Sequence, residues 1–417
     1  MRLLACTGLW QQPQSPVQSC QFAAEVVDFL RTDQLRCEPC EPPKGTTDRP
    51  LLLVGKEGAP PALALHLLRT PRSLGDVLPR TATADLSDAW EARRSPTPLV
   101  HLWEDIWRSR NDIVCSRLRA MSGGSRRLMA RNTEVRRIDA ATLEKFLVDH
   151  HLWGPTQARF RYGLYHKPLP GESERELVAV ASFSARRHVL RGGERYRSHE
   201  LIRYCSRRGE SVAGGISKLM KTFEREMEPD DLVTVIDRDW GGGGGWGSLG
   251  FEVVQNMLPV PFYVGPDGHR CHALGTGNNP WRRQLPPELI EAFEMQNEMR
   301  RPGGRQGGVP EGLSAFLATE RYFELNDAGA LRMLRLLKQP AQTDDHGVGT
   351  AANGIGAVTG STAVTGSAAV TGSTGLDEDE PSIGSRTLWE ETRLPNGKKF
   401  FVQDKPPGDW NAPRSGK

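Results

Sequence analysis

The segment from His199 to Val264 constrains the fold more than any other part of the chain. It reads HELIRYCSRRGESVAGGISKLMKTF, then, from Asp230, DDLVTVIDRDWGGGGGWGSLGFEVV, and closes on PVPFYV. This pattern predicts a strand, a glycine turn, an amphipathic helix, a strand, a glycine loop and a last strand. A strand that leads through a Gly-Gly turn into a helix leaves backbone N–H groups free to bind an anion. The segment therefore predicts an α/β fold together with a candidate ligand site.

Shorter patterns predict the elements upstream of this segment. LLLVGK (51–56) reads as a strand and ALALHLLR (62–69) as a helix, within a region otherwise rich in Pro, Cys and small residues. From Leu99, LVHLWEDIW predicts a strand that runs into a helix. VRRID predicts a strand, AATLEKFLVDHH an amphipathic helix, and ARFRYGLYH and ELVAVASFS an antiparallel pair of strands.

These patterns divide the chain into four parts. The division is an irregular N-terminal region at 1–98, an α/β domain at 99–337 with its core at 135–264, a linker at 338–385 and a small module at 386–417. A divergent N-terminus is the favoured interpretation of the first region, with a degenerate nuclease remnant or a targeting segment as alternatives. Its first 24 residues hold Arg2 and no acid, which resembles a transit peptide. The linker repeats AVTGS from Ala357, Ala363 and Ala369, and such small residues bury too little surface to order it.

Composition and charge narrow the class of protein. The chain of 417 residues is 37% hydrophobic and 25% charged, as expected for a globular protein, and its net charge of +3 is low for a dedicated nucleic-acid binder. The cysteines, 7 in number, are scattered and suit a reducing compartment. No apolar run reaches the roughly 18–20 residues of a membrane span. We expect an intracellular protein of the cytoplasm or nucleus, with organelle import left open. A single C-x-x-C at Cys37 and Cys40 predicts no zinc site or other metal site.

The order of elements over 135–264 resembles the GNAT acetyltransferase fold. In this resemblance LIRYCS is the central strand and SVAGGISKLMKTF is the helix that follows the phosphate-binding loop. The resemblance implies a mixed sheet flanked by helices, and a diphosphate of acetyl-CoA or another acyl-CoA held by backbone amides of Gly214, Gly215, Ile216 and Ser217. A Gly-Gly turn that only caps a structural helix is the alternative.

The same segment departs from the family at places that matter for catalysis. Val212 stands where the family loop usually carries Gln or Arg, and Trp246 stands where a Tyr general acid is frequent. An indole cannot exchange a proton near neutral pH. The run GGGGG replaces a helix of the family. Catalytic residues therefore stay unknown, and it stays open whether the chain is an N-acyltransferase.

A second resemblance covers about 99–337. HLWEDIW, HHLWG, ELIRYCS, GGISKL, DRDW and YFELNDAGALR together resemble the C-terminal half of phage homing-endonuclease-like proteins, in which a GNAT-like domain follows a Vsr-type nuclease. The upstream region carries no acid-x-Lys pair beside a strand, so an active nuclease is not predicted. Nucleic acid remains an alternative partner, because aromatic residues are interleaved with many arginines: Arg126, Arg127, Arg131, Arg136, Arg137, Arg159, Arg161, Arg186, Arg187, Arg207 and Arg208.

Three charged residues end the VTVI strand, where side chains often face a cleft. Asp237, Arg238 and Asp239 are candidates for contacting substrate. The alternative is a local ion pair and cap.

The last segment, TLWEETRLPNGKKFFVQDKPPGDWNAP, resembles a WW domain, a small three-stranded all-β module. In that family the first Trp packs on the last Pro, here Trp389 and Pro413. The resemblance implies that Phe400 and Trp410 form a slot for a proline-rich protein segment. An ordinary three-stranded tail is the alternative.

The leading functional expectation is an acyl-CoA-binding GNAT-like protein coupled to a proline-rich partner through the WW-like module. One alternative is a catalytically inactive protein that contacts nucleic acid and derives from a mobile-element endonuclease. Another is a WW-type adaptor in which only the tail acts. No membrane partner is expected.

Overall fold

A computed structural model of the chain describes residues 21–166, 175–191, 193–272 and 317–338, and two strands at 389–393 and 399–403. These residues belong to one compact unit. The unit is a mixed α/β structure, which confirms the predicted class at that level.

The N-terminal part is a four-stranded sheet with helices on both faces. Its strands run in the order β1-β2-β3-β4, with β1, β2 and β3 antiparallel and β4 parallel to β3. The strands are β1 Leu35–Pro39, β2 Leu51–Lys56, β3 Leu63–Leu68 and β4 Leu99–Trp103, and the helices are α1 Gln21–Thr32, α2 Ala82–Ala92, α3 Glu104–Ser109 and α4 Asn111–Met121. α1, α3 and α4 share one apolar core with this sheet, and α2 packs Leu86 and Trp90 against its other side.

This sheet corrects two expectations. Residues 1–98 were expected to be irregular, whereas 21–92 hold two helices and three strands, and β4 at 99–103 completes their sheet instead of opening a new domain. The segment ALALHLLR contains the strand β3, not a helix. Every residue of β3 is buried, because β2 and β4 flank it and helices cover both faces. A short, continuous apolar run cannot be assigned to helix or strand from its period.

The second part is built on an eight-stranded sheet in the order β13-β17-β12-β10-β8-β7-β6, with β9 paired to β10. All neighbours are antiparallel except β10 and β12, which are parallel. Its strands are β6 Thr133–Arg137, β7 Phe160–His166, β8 Leu177–Phe183, β9 Arg187–Arg191, β10 Glu194–Ser206, β12 Asp231–Asp237, β13 Glu252–Met257 and β17 Ala330–Leu336.

Helices cover both faces of this second sheet. α6 packs Leu219 and Phe223 against one face. α5 packs Leu143, Phe146 and Leu147 against the other, which confirms the apolar face predicted for AATLEKFLVDHH. The helices are α5 Ala140–His150, α6 Gly215–Met227 and the short α7 Gly244–Gly247.

Smaller pieces complete the unit. β5 pairs with β11 in parallel, β14 lies between β15 and β16, and β18 forms an antiparallel hairpin with β19. These strands are β5 Arg126–Met129, β11 Glu210–Ala213, β14 Pro261–Val264, β15 Arg270–His272, β16 Phe323–Asn326, β18 Trp389–Arg393 and β19 Lys399–Gln403. The AVTGS repeats and Trp410 lie outside the described residues.

β10 and β12 separate along their length. They pair only from Ser198 to Glu200 on β10, and the Thr234 hydroxyl donates to the Leu201 carbonyl at 3.1 Å where the pairing ends. A bulge follows at once on the other side of β10, between Leu201 and Arg203. We call the space between the later halves of the two strands the β10/β12 gap.

A tight corner after β12 joins the two sheets. The 3-10 turn Arg238–Trp240 places the Trp240 indole in the apolar core of the first sheet, and the Arg117 guanidinium of α4 lies 4.6 Å from the centre of that ring. Arg238 donates to Asp88 at 2.6 Å and to Glu91 at 3.3 Å, both on α2.

A chain of hydrogen bonds crosses the first sheet. The Nδ1 atoms of His66 and His101 are 2.9 Å apart, and the outer ring nitrogens bond to Thr47 and Ser87 at 3.0 and 2.8 Å. Burial lowers the pKa of His66 to about 3 and that of His101 well below its usual value. Both rings are therefore neutral in the folded protein near neutral pH.

The close approach at Gly329 predicts a large loss of stability in Gly329→Ala. Its φ is +77°, and a Cβ there would lie 2.2 Å from the Met257 carbonyl oxygen. We expect a loss of about 2–5 kcal/mol of unfolding free energy, because backbone strain and overpacking add. Gly58→Ala is the control, since its φ is +72° with nothing within 4 Å. Equal melting temperatures for the two variants would contradict the contact.

The buried histidines predict a loss of stability in mild acid. The folded pKa of His66 lies below the usual 6.5, so the unfolded chain binds more protons as the pH falls from 6.5 toward 3. The contribution of His66 to the free energy of unfolding is full above pH 6.5. It decreases by about 2 kcal/mol between pH 7 and pH 5. Urea unfolding at both pH values should show a smaller pH difference for His66→Gln. His188→Gln, at an exposed site, should retain the full difference.

Candidate functional site

The first turn of α6 needs its glycines. Gly214 has a φ of +75°, a conformation that favours glycine. A Cβ at Gly215 would lie 2.8 Å from the Tyr204 hydroxyl and 3.0 Å from the Val212 Cβ. The Tyr204 hydroxyl thus lies on the first turn of α6, where it contacts the backbone amide of Ile216. Gly214 is exposed, Gly215 is buried, and Ile216 and Ser217 are half-buried.

A lysine fixes this turn to the segment before β6. Lys218 Nζ donates to the carbonyl oxygens of Ala130 and Thr133 at 2.8 and 2.5 Å. β11, which leads into the turn, pairs with β5 on the same side. The glycine turn is therefore held by β5, β6 and β10 together.

Asp237 ends β12 at the open end of the β10/β12 gap. One carboxylate oxygen accepts from Trp153 Nε1 at 2.9 Å and the other from the Asp239 amide at 2.9 Å. Burial raises the pKa of this carboxyl, and Arg117 opposes that rise. The residue is half-buried, and part of its surface remains accessible. Asp237 can therefore meet a ligand that enters the gap.

The other two predicted cleft residues point elsewhere. Arg238 is buried against α2, as described above. Asp239 is also buried and accepts the Ala328 amide at 2.8 Å. Burial raises the pKa of Asp239 well above its usual value, and the nearby carboxylates of Asp237 and Asp327 raise it further. Of the three, only Asp237 faces the gap.

Three further side chains, Arg117, Arg203 and His151, belong to the neighbourhood of Asp237. Arg117 comes from α4 of the first sheet, Arg203 follows the bulge in β10, and His151 is the residue after α5. All three side chains are half-buried. Burial, together with the charges of Arg203 and Arg117, lowers the pKa of His151 to about 3. Its ring nitrogen Nδ1 accepts the Trp153 amide at 3.1 Å, so it is a neutral acceptor.

A buried ion pair between Arg270 and Asp105 lies near these residues. Arg270 donates to both carboxylate oxygens of Asp105 at 2.8 and 3.0 Å. Its guanidinium also lies 4.9 Å from the Phe262 ring and 6.0 Å from the Trp153 ring. Because both partners are buried and paired with each other, Arg270 has a structural role and is not available to bind a ligand.

Several of these residues could not be predicted as site residues from the sequence. Arg117 and Arg270 reach the site from elements distant in the chain, and nothing in their local patterns separates them from other surface arginines. The motif HHLWG did stand out, but as a helix end. Its His151 and Trp153 belong to the site through their contacts with Asp237 and its neighbours.

The predicted peptide slot lies largely outside the described part of the chain. Phe400 falls on β19, whose side chains the structure does not describe. Among the described residues, no group of three or more His, Cys, Asp or Glu side chains can hold a metal ion. Four cysteines in these ranges, Cys37, Cys40, Cys115 and Cys205, are free thiols.

Comparison with known proteins gives no family assignment. No protein-family model matches the chain, and no curated protein matches it. Within the described ranges, no helix has the length and apolar character needed to cross a membrane.

The Trp153 bond predicts a change in the ionisation of Asp237. In Trp153→Phe the carboxylate loses a donor to its charged form, so its pKa should rise further. Carbon-13 NMR titration of the Asp237 carboxyl measures this directly. Trp246→Phe is the matched control, because that indole packs on Phe251. An unchanged titration in Trp153→Phe would contradict the bond.

Proposed function

We propose that the chain is a GNAT-like protein that binds acyl-CoA along the β10/β12 gap. The order along the chain supports this: strand, helix, antiparallel strands, strand, glycine turn, helix, strand, short helix and strand. That is the order which the resemblance to the acetyltransferase fold implies.

One observation carries the proposal. β10 and β12 part after Glu200, and the glycine turn and α6 follow the end of β10. Two parallel strands that separate leave backbone N–H and C=O groups unpaired between them. A pantetheine arm with its two amides can bond to such a strand edge, as an added strand does. The amides of Gly214, Gly215 and Ser217 then offer an N-terminus for the diphosphate, whereas that of Ile216 already contacts the Tyr204 hydroxyl.

Acyl transfer is a narrower proposal than binding. Trp246 packs edge-on to Phe251 at 5.4 Å, beside the core of the second sheet, so it has a packing role. Asp237 is the carboxylate at the end of β12 beside the gap, and burial raises its pKa. A carboxylate so placed can act as a general base. We propose N-acyl transfer with Asp237 as the group that takes the proton from the amine.

Ion pairing weakens the nucleic-acid alternative. Several arginines of the predicted basic set have carboxylate partners: Arg136 pairs with Glu134, Arg137 with Glu226, Arg207 with Glu210, and Arg208 with Asp112. Paired charges release fewer counterions from phosphates. Acyl-CoA binding is therefore the function that we favour.

Thermal titration of the full chain with acetyl-CoA tests the proposal. Binding to the folded state alone should add about 2.7 kcal/mol of stability at 100 times the dissociation constant. Gly215→Glu should abolish the shift, because the new side chain would meet the Tyr204 hydroxyl and Val212 and displace the turn that carries the amides. Ser217→Glu is the milder variant, since its position is half-buried and the substitution replaces no glycine.

Gly75→Glu provides the control for added charge. That glycine is exposed on the first sheet's side, with only Ser73 Oγ near, at 3.8 Å. It should retain the full shift with acetyl-CoA. If wild type shows no shift, or if Gly215→Glu and Ser217→Glu both shift like wild type, the proposed site is wrong.

A further inference from the structure

Two half-buried arginines near Asp237 lack a carboxylate partner among the described residues. Among the described residues, the buried guanidinium groups of Arg191, Arg238 and Arg270 each form an ion pair. Arg117 and Arg203 form none with any described residue, although both are half-buried. A charge kept partly out of water without a partner is costly, so its presence needs a reason.

Each of the two guanidinium groups is held in place by a neighbour and still has N–H groups that could donate to a ligand. Arg117 lies over the Trp240 ring at 4.6 Å, a stacking contact that uses its face and leaves its N–H edge. Arg203 donates from Nη1 to the Ile202 carbonyl at 3.1 Å, and its buried Nε has no hydrogen-bond partner among the described atoms. The bulge that precedes Arg203 sets the direction of its side chain.

The two arginines converge on one place. Arg117 lies over the Trp240 ring, three residues after Asp237, and Arg203 lies three residues after Glu200, where the pairing of β10 with β12 ends. The charges of both arginines also lower the pKa of His151. Asp237 cannot neutralise the pair, since it is one carboxylate and already accepts from Trp153 and from the Asp239 amide. His151 is neutral there. Glu200, whose charge acts on Arg203 more strongly than that of Asp237, pairs with Arg187 at 3.7 Å and makes no direct ion pair with Arg203.

We propose that Arg117 and Arg203 bind the anionic group, a carboxylate or a phosphate, of a small amine-bearing molecule. Asp237 attracts the ammonium group of the same molecule. This inference rests on the proposed acyl-CoA function, because it names the class of acyl acceptor. The acceptor must then be a zwitterion: its anionic group binds the two arginines, and its ammonium group lies next to Asp237. Arginine suits this role through planar, paired donors.

The transfer itself balances without a further reactant. The ammonium gives a proton to Asp237, the free amine attacks the thioester carbonyl, and a C–N bond replaces the C–S bond. The second amine proton goes to the departing thiolate, which leaves as the CoA thiol. Asp237 then releases its proton to water.

Thermal titration with three small amines tests the anion site directly. The probes are β-alanine, which has a carboxylate, phosphoethanolamine, which has a phosphate, and ethanolamine, which has neither anion. At constant ionic strength, one or both anionic probes should stabilise wild type at concentrations where ethanolamine does not. Preference for β-alanine or for phosphoethanolamine distinguishes the two sources of the anion.

Variants assign that stabilisation to the two arginines. Arg117→Gln and Arg203→Gln should each weaken the dissociation constant of the preferred probe by about 10- to 100-fold, as expected for a charged hydrogen bond. Arg203→Lys keeps the charge and should lose less. Arg159→Gln, at an exposed arginine of the second sheet, should behave as wild type. Because the readout is a shift caused by the probe, altered starting stability does not obscure it.

Separate outcomes distinguish this inference from the proposed function. Acetyl-CoA should stabilise the two arginine variants as it does wild type, and the anionic probe should still stabilise Ser217→Glu. If neither anionic probe shifts wild type more than ethanolamine, or if both arginine variants respond like wild type, the anion site is wrong. Loss of the acetyl-CoA shift with a retained probe shift would instead overturn the acyl-CoA assignment alone.

Discussion

The corner that follows β12 joins the two sheets. β12 belongs to the second sheet, yet three residues later the Trp240 indole lies in the core of the first. Arg238 also links the turn to the first sheet, because its buried guanidinium forms ion pairs with two carboxylates of α2. Burial of a tryptophan and pairing of a buried arginine are among the larger contributions a short turn can make. The relative position of the sheets depends on this turn.

The corner also makes the candidate site a composite of both sheets. Asp237 immediately precedes the turn, Arg117 stacks on Trp240 from the side of the first sheet, and Arg203 belongs to the second. None of these groups would have its present neighbours if the sheets were separate. Composite sites of this kind are common where two layers meet, because the seam provides both concavity and a choice of side chains.

Local patterns predicted most elements of the second sheet but few of the contacts in the site. The apolar face of α5 and the order of strands around the glycine turn follow from periodicity and turn residues. β3 was read as a helix, because a buried central strand lacks the alternation that marks a half-exposed one. The pairing of Arg117 with Trp240 depends on how distant segments pack, and no window of sequence contains both. Asp237 could be predicted, because a polar residue at the end of a buried strand is evident from the local sequence. That Arg238 and Asp239 point away from it follows only from the turn Arg238–Trp240, which the sequence did not predict.

The shared core has a consequence for how the chain is made. Phe22, Val26 and Leu30 of α1 share one apolar cluster with Trp240, Val264 and Leu325, which come very late in the described chain. During synthesis from the N-terminus, the first sheet forms while part of its core is still absent. Its apolar face then stays accessible to water and to other chains until the last strands arrive. Such late closure favours slow folding and a need for protection of the nascent chain.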